Sequence, residues 1–406
     1  MGSRTMCSIL AAFLLLTGCS AADSKNLAQS KSKSKPTPER SCSLFQGSTL
    51  APTPPPLPFG GDVRLVHYNA YPYSDGFSSV VALRDGTAYA VGQRQFPAPN
   101  RPDGPHEPCG SLRWSSFVLR WDGTSWQEMP APERVVEPRH VTATSDGHIW
   151  VFGICMDPSA NGGGRGCVTH WDGTAWTASE FQIEDTQFAG VAAFARDDVW
   201  TGTYDMLQHW DGERWQARRP PLHIGALEGT GSGTLWIAGE KDGHPALARW
   251  TGREWRSVPR PPIPRVYKDQ GETRVLDIAV GDQGEVWVLS SMYWICGEEE
   301  MTCTRPVLMK WDGFRWTVKV MPEESSIGSI VSDGAGGLWA NASRNLTHFT
   351  GGEWENHPIT RGPLGGRTVA QLARRPGAAT VWAVGQDGTE DEKMPFSNGI
   401  IWKMDP

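Results

Sequence analysis

The sequence predicts an all-β fold, a seven-bladed β-propeller of four-stranded antiparallel blades whose last blade is closed by an N-terminal strand. Three observations predict it. A six-residue figure, Trp-Asp-Gly-x-x-Trp, stands at 121–126, 171–176, 210–215 and 311–316, with worn copies at 250–255 and 349–354 and a seventh begun at Ile401-Trp402. Upstream of each copy lies a second figure, a short apolar run carrying one aromatic and often closed by Gly, as in Tyr89-Ala90-Val91-Gly92, Trp150-Val151-Phe152-Gly153 and Trp382-Ala383-Val384-Gly385. The two figures alternate strictly, seven of each, and 18 of the 20 Trp residues belong to them, leaving only Trp114 and Trp294 outside. A Trp locked to a repeat period is a packing residue before it is anything else.

Each element follows from local chemistry. Asp-Gly between two aromatic-bearing apolar runs is a hairpin signal, because a type I′ turn needs positive φ at both central positions. Phe117 to Trp121 and Ser125 to Met129 therefore read as two strands whose flanking aromatics pack on one face. Arg139 to Thr144, a turn at Ser145-Asp146-Gly147, and His148 to Gly153 make a second hairpin. Each unit is thus four short strands, and self-similarity at roughly 40 to 50 residues with four strands per unit is the signature of a propeller. The spacing from Trp150 to Trp200 is 50 and from Trp200 to Trp236 is 36, the variation sitting between second and third strands. The last unit stops after its third strand, at Ile400 to Met404. Val63 to Tyr68, a strand without a partner of its own, is expected to fill the gap and remove the bare edge.

Ahead of the repeats the composition changes. Arg4, the apolar run Ile9 to Leu16, and Leu16-Thr17-Gly18-Cys19 read as a secretion signal over 1–18. The tetrapeptide resembles the bacterial lipobox, which implies that Cys19 is diacylated and becomes the first residue of a membrane-anchored protein. Ser20 follows rather than Asp, which resembles lipoproteins sent on to the outer membrane. Residues 19–59 are rich in Ser, Lys and Pro and carry net charge +3, too polar to bury a core, so they read as a disordered tether. Residues 60–406 hold 32 basic and 43 acidic side chains, net −11, which excludes nucleic acid as the expected partner.

Eight Cys are present. With Cys7 in the signal and Cys19 lipidated, six remain. Cys155 with Cys167, and Cys296 with Cys303, bracket the same second-to-third-strand loop three blades apart and are expected to form disulfides. Cys42 with Cys109 would then pin the tether to the first blade. No Cys-x-x-Cys pair or nearby His supports zinc, and no other metal or cofactor is expected.

Asp333-Gly334-Ala335-Gly336-Gly337-Leu338-Trp339 with Leu346-Thr347-His348-Phe349 is similar to the regulator-propeller repeats of two-component sensor ectodomains. The Trp-Asp-Gly-x-x-Trp hairpins also resemble repeats abundant in lipoproteins of myxobacteria and their relatives. Ser145-Asp146-Gly147-His148-Ile149-Trp150 partly resembles the Asp-box of sialidases, a structural element in those enzymes, and no counterpart of their arginine triad accompanies it. These resemblances imply a repeat architecture and leave the activity open.

Propeller geometry implies one plain face of tight turns and one elaborated face. The sequence variety falls on the latter: 93–113, 154–167, 256–274, 290–306 and 386–398. Long loops on a rigid scaffold are where binding surfaces are usually built. The opening residues of first strands, Arg139, His140, His223, Arg274 and Arg367, would gather cationic groups at the channel rim and suit an anionic ligand, with Glu137, Glu228 and Glu272 near enough to neutralise them. Tyr293 and Trp294, off the repeat on a stapled loop, are candidate stacking platforms. The expected function is non-catalytic binding of an envelope protein or glycan by the loop face. The alternative is an exported glycan hydrolase or lyase, for which Asp75, Asp185 and Glu272 are the acids near rim positions.

Overall fold

The structure, a computed structural model, describes residues 56–97, 112–132, 134–156, 164–179, 187–231, 234–267, 270–297, 301–322, 327–342, 345–389 and 396–405. The signal, Cys19, most of the tether, and the proposed Cys42–Cys109 pair lie outside them.

Seven four-stranded antiparallel sheets form the blades, at 75–128, 135–179, 190–218, 223–257, 270–320, 327–358 and 368–404. The first strand of each blade packs on the first strand of the next, and that of blade 7 on that of blade 1, so the sheets close into a ring. In blade 7 the fourth strand is Val63–Tyr68, antiparallel to Ser397–Met404 with Leu65 opposite Trp402. Trp402 is fully buried there and its indole N–H donates to the carbonyl of Thr360 at 2.8 Å.

The repeat supplies the core. Buried apolar residues form seven clusters, one at each blade-to-blade interface. The hairpin aromatics hold one geometry throughout: Trp121–Trp126, Trp171–Trp176 and Trp311–Trp316 centroids lie 5.7, 5.5 and 5.5 Å apart at 51°, 54° and 50°. Second-strand Trp residues wedge between blades, as where Trp382 of blade 7 meets Trp121 and Trp126 of blade 1 edge-on at 5.1 and 5.2 Å. The residue before each hairpin's first aromatic stands directly opposite that second-strand ring. Lys310 lies 4.6 Å over Trp287 and Arg249 5.6 Å over Trp236, while His209 and His348 stack on Trp200 and Trp339 at 4.1 Å. Cation–π and imidazole stacking thus cover the exposed face of each wedge.

The hairpin turn differs from the type I′ expectation. In Asp122-Gly123-Thr124-Ser125 only Gly123 has positive φ, +105°, which is the type II′ pattern with Gly at the first central position. The cause is the Asp side chain, whose Oδ1 accepts the N–H of Thr124 and Ser125 at 2.8 and 2.9 Å and so stands before the turn rather than inside it. The same cap recurs at Asp172, Asp211 and Asp312. Asp242-Gly243, with φ of +53° and +73°, and Gly351-Gly352 of the blade 6 hairpin, with +61° and +93°, have both central residues left-handed.

The Gly that closes the second figure has a physical reason too. Six first strands carry a β-bulge in register, after Phe77, Pro138, Ile224, Val275, Ile327 and Val369. The bulge pushes a carbonyl toward the second strand, where a Cβ on Gly92, Gly153, Gly239 or Gly385 would collide with the oxygen of Gly76, Glu137, His223 or Thr368. It also frees a backbone donor for the neighbouring blade: Gln371 accepts from Val80, Ser79 from Val141 and Asp277 from Ile330, at 2.9, 3.0 and 2.9 Å.

Toward the plain face, Glu228 accepts the Val280 N–H at 2.8 Å, and Arg374 of blade 7 donates to Asp282 of blade 5 at 2.7 Å. Burial, with the neighbouring Asp277 adding to it, pushes the Glu228 carboxyl up to about 8, and burial pushes Asp277 up to about 6.

Candidate functional site

Chain direction sorts the connections onto two faces. First-to-second and third-to-fourth strand turns meet on one face. The second-to-third strand connections and the blade-to-blade links meet on the other, as the sequence requires. The loop face is uneven. Blades 3 and 4 turn tightly there, through 203–206 and 242–243, whereas the blade 5 hairpin rises on two eleven-residue strands, Val286–Cys296 and Met301–Trp311. Its tip is joined by Cys296–Cys303, and the blade 2 hairpin by Cys155–Cys167, as the loop spacing predicted.

Two neighbourhoods stand out on this face. The first spans the low sector and the blade 5 wall. Tyr204, 49% exposed, stacks on His223 with centroids 4.5 Å apart at 9°. His223 Nδ1 meets Asp205 at 2.5 Å. Arg274 meets Glu272 at 3.5 Å and lies 5.4 Å over the ring of Tyr293. Trp294 stacks on Tyr267 at 3.9 Å and 7°. Glu240, directly opposite His223 in the sheet, has its carboxyl raised by burial and by Glu272, against the pull of Arg274 and His223.

The second is a cleft of about 120 Å³ where blades 1, 2 and 7 meet, lined among others by Gln93, Trp114, Glu137, Arg139, Gln386 and Ser397. Arg139 sits at the blade 2 bulge, which turns its side chain out to the face, and its guanidinium contacts Glu137.

The expected rim residues therefore divide. His223, Arg274 and Tyr293 share one neighbourhood, Arg139 belongs to the other, and Arg367 donates to the carbonyl of Ile359 at 2.8 Å. His140 leaves the rim: its Nε2 meets the carbonyl of Phe188 in the interface with blade 3 at 3.2 Å, and burial lowers its pKa. Arg139 and Arg274 take the acids foreseen for them, Glu137 and Glu272, while Glu228 binds backbone instead. Of the acids considered for hydrolysis, Asp75 on blade 1 and Glu272 on blade 5 stand on opposite sides of the ring, and Asp185 lies outside the described residues. Asp75 has both oxygens engaged, by the Gly399 N–H at 2.5 Å and the Asn69 amide at 3.0 Å, and burial pushes it up to about 7.

Gln93 and Gln386 were not singled out by sequence reasoning, although a signal existed: Val-Gly-Gln occurs at 91–93 and again at 384–386. Equivalent register positions on neighbouring blades put both carboxamides at one cleft. Trp114 was visible as one of two Trp residues outside the pattern.

The sequence matches no protein-family model, and comparison with curated proteins finds no match. Solved structures similar to this one include YCF48 bound to a D1 peptide, at 10% identity and TM-score 0.51, covering 87% of this chain and 98% of that one. Another is the extracellular domain of the putative hybrid two-component system BT4673 from B. thetaiotaomicron, at 12% identity and TM-score 0.52, covering 84% of this chain and 40% of that chain. At these identities the likeness establishes the propeller and nothing of its chemistry.

Proposed function

We propose that this chain is a non-catalytic binding propeller of the cell envelope, anchored through lipid on Cys19 at the outer membrane and taking a protein or glycan partner on its loop face. The observation that carries the reading is the contrast between faces. One is built of short turns with self-capped Asp side chains, and the other collects the disulfide-joined hairpins, the exposed Trp114 and Tyr204, and cations displayed in ion pairs. Rigid scaffolds bearing irregular loops of this kind present recognition residues without the cost of ordering them. Arg139, His223, Arg274, Arg367, Tyr293 and Trp294 are the contact residues offered by this reading, with part-buried His140 in the blade interface beneath them. The related propeller YCF48, bound to a D1 peptide, is a precedent for partner recognition by such a ring.

The anchor and the binding face are tested separately. Cys19→Ser should release the protein from the membrane fraction, and retention in that fraction contradicts the lipid anchor. In cross-linking on intact cells, Tyr204→Ala with Arg274→Ala should remove envelope partners that Phe314→Ala, on the opposite face, leaves in place. Equal loss or equal retention in the two variants contradicts the loop-face assignment.

A further inference from the structure

We infer that the cleft between blades 1, 2 and 7 is a subsite for one uncharged sugar ring, held by Trp114, Gln93 and Gln386. The inference rests on the loop-face reading and gives that face a ligand class.

Three independent features converge. The first is Trp114. Nearly every other Trp in the chain belongs to the repeat, whereas Trp114 stands beyond it on the third strand of blade 1, opposite Gln95, 42% exposed and on the wall of the cleft. An indole left partly in water on a rigid strand offers a flat apolar face, the surface on which the C–H face of a pyranose packs.

The second is the pair of carboxamides. Gln93 and Gln386 each follow the Gly that ends the second-strand figure, so two adjacent blades deliver the same group to the same depth. Neither side chain is hydrogen-bonded among the described residues. Each carries two donors and an acceptor with two lone pairs, the complement of vicinal hydroxyls, which both give and receive hydrogen bonds. Gly76 supports this arrangement: a Cβ there would come within 2.9 Å of the Gln386 amide oxygen and 3.4 Å of its Cβ, so the Gly holds open the space the amide uses.

The third is charge. The two ionic groups at the cleft, Arg139 and Glu137, neutralise each other, and the Asp75 carboxyl is turned into blade contacts with Gly399 and Asn69. The exposed Arg139–Glu137 pair leaves the cleft no net charge to draw a ligand of either sign. A neutral saccharide needs no such attraction, and it can still accept from the guanidinium and donate to the carboxylate.

The test uses the mature chain with Cys19→Ser, screened on an array of neutral and acidic oligosaccharides, with the tightest neutral binder titrated by calorimetry. Trp114→Ala and Gln386→Ala should each weaken that binding by about tenfold or more. Gly76→Ala, which displaces the Gln386 amide, should do so to a smaller extent. Phe314→Ala, on the opposite face, should leave it within about twofold. Thermal melting checks each variant's fold, and Gln93→Ala replaces any that melts early. Binding confined to acidic glycans, unchanged affinity in Trp114→Ala and Gln386→Ala, or no neutral saccharide bound at all overturns the inference. In that last case, cross-linked partners still lost from Tyr204→Ala with Arg274→Ala would leave the loop-face reading standing.

Discussion

At the plain end of the ring, blades 1, 2, 3 and 5 solve one problem in one way: Asp caps a turn, Gly bends it, and an aromatic pair closes it. At the loop end the blades diverge. Blade 4 turns through Asp242-Gly243, blade 5 rises into a disulfide-joined hairpin, and blades 1 and 7 present matching Gln residues to a cleft. The difference teaches that sequence regularity here marks what holds the ring together, and that a residue is informative about function in proportion to its departure from the repeat. Trp150 and Trp339 obey the pattern and are buried, whereas Trp114 breaks it and is exposed.

Four predictions strain that contrast, from the largest effect to the smallest. Trp402→Ala removes a fully buried indole from the closing blade and should cost roughly 3 to 5 kcal/mol in denaturant unfolding. Phe314→Ala, at a turn where the ring is 92% exposed, should cost next to nothing. Equal costs for the two would mean that Val63–Tyr68 does not close the ring as described.

Cys296→Ser with Cys303→Ser opens only the tip of the blade 5 hairpin, a separation of seven residues. It should lower stability by about 2 to 3 kcal/mol on the chain-entropy scale while the far-ultraviolet circular dichroism stays unchanged. Loss of the sheet signal would make that loop part of the scaffold rather than an addition to it.

The channel carboxyl of Glu228 supplies a pH test. Its folded pKa, about 8, lies above the ordinary 4.5, so between those values the native state holds a proton that the unfolded chain has released. Stability must therefore fall as pH rises through that window. Glu228→Gln keeps an acceptor for the Val280 N–H and should flatten the decline, raising Tm at pH 8 by on the order of a few degrees with little change at pH 4.5. A variant that parallels the native pH profile contradicts the assignment.

The smallest effect belongs to a single turn cap. The Asp122 carboxyl is held near 2 by the backbone N–H groups of Ser125 and Thr124. Its contribution is present above the ordinary carboxylate range and fades as pH falls toward 2. Asp122→Ala should thus lower Tm slightly at pH 7 and not at pH 2, and a pH-independent difference would assign the loss to something other than the cap.

Much of this architecture was legible in the sequence because it is written seven times. Strand pairing, the closing strand and the disulfides Cys155–Cys167 and Cys296–Cys303 follow from spacing alone. The turn class was not, because Asp-Gly reads as the two central residues until the Asp carboxylate is seen capping from outside. The seven cross-strand covers, from Arg120 opposite Tyr89 to Lys403 opposite Trp382, went unread for a related reason: a basic residue before Trp-Asp looks solvent-facing until the register sets it over a ring. Of the rim, sequence reasoning found the cations but not how they are grouped. Neighbours such as Asp205 beside His223 come from the preceding blade, and only the packing of successive blades brings them together.

The division between a structural face and a recognition face is tested most directly by measuring stability and partner capture on the same variants. Substituting Asp122, Asp172, Asp211 and Asp312 by Ala should lower Tm and leave cross-linking to envelope partners intact, while Trp114→Ala, Tyr204→Ala and Arg274→Ala together should abolish cross-linking and leave Tm within about 2 °C. Capped-turn variants that lose their partners while loop-face variants keep them would contradict the account.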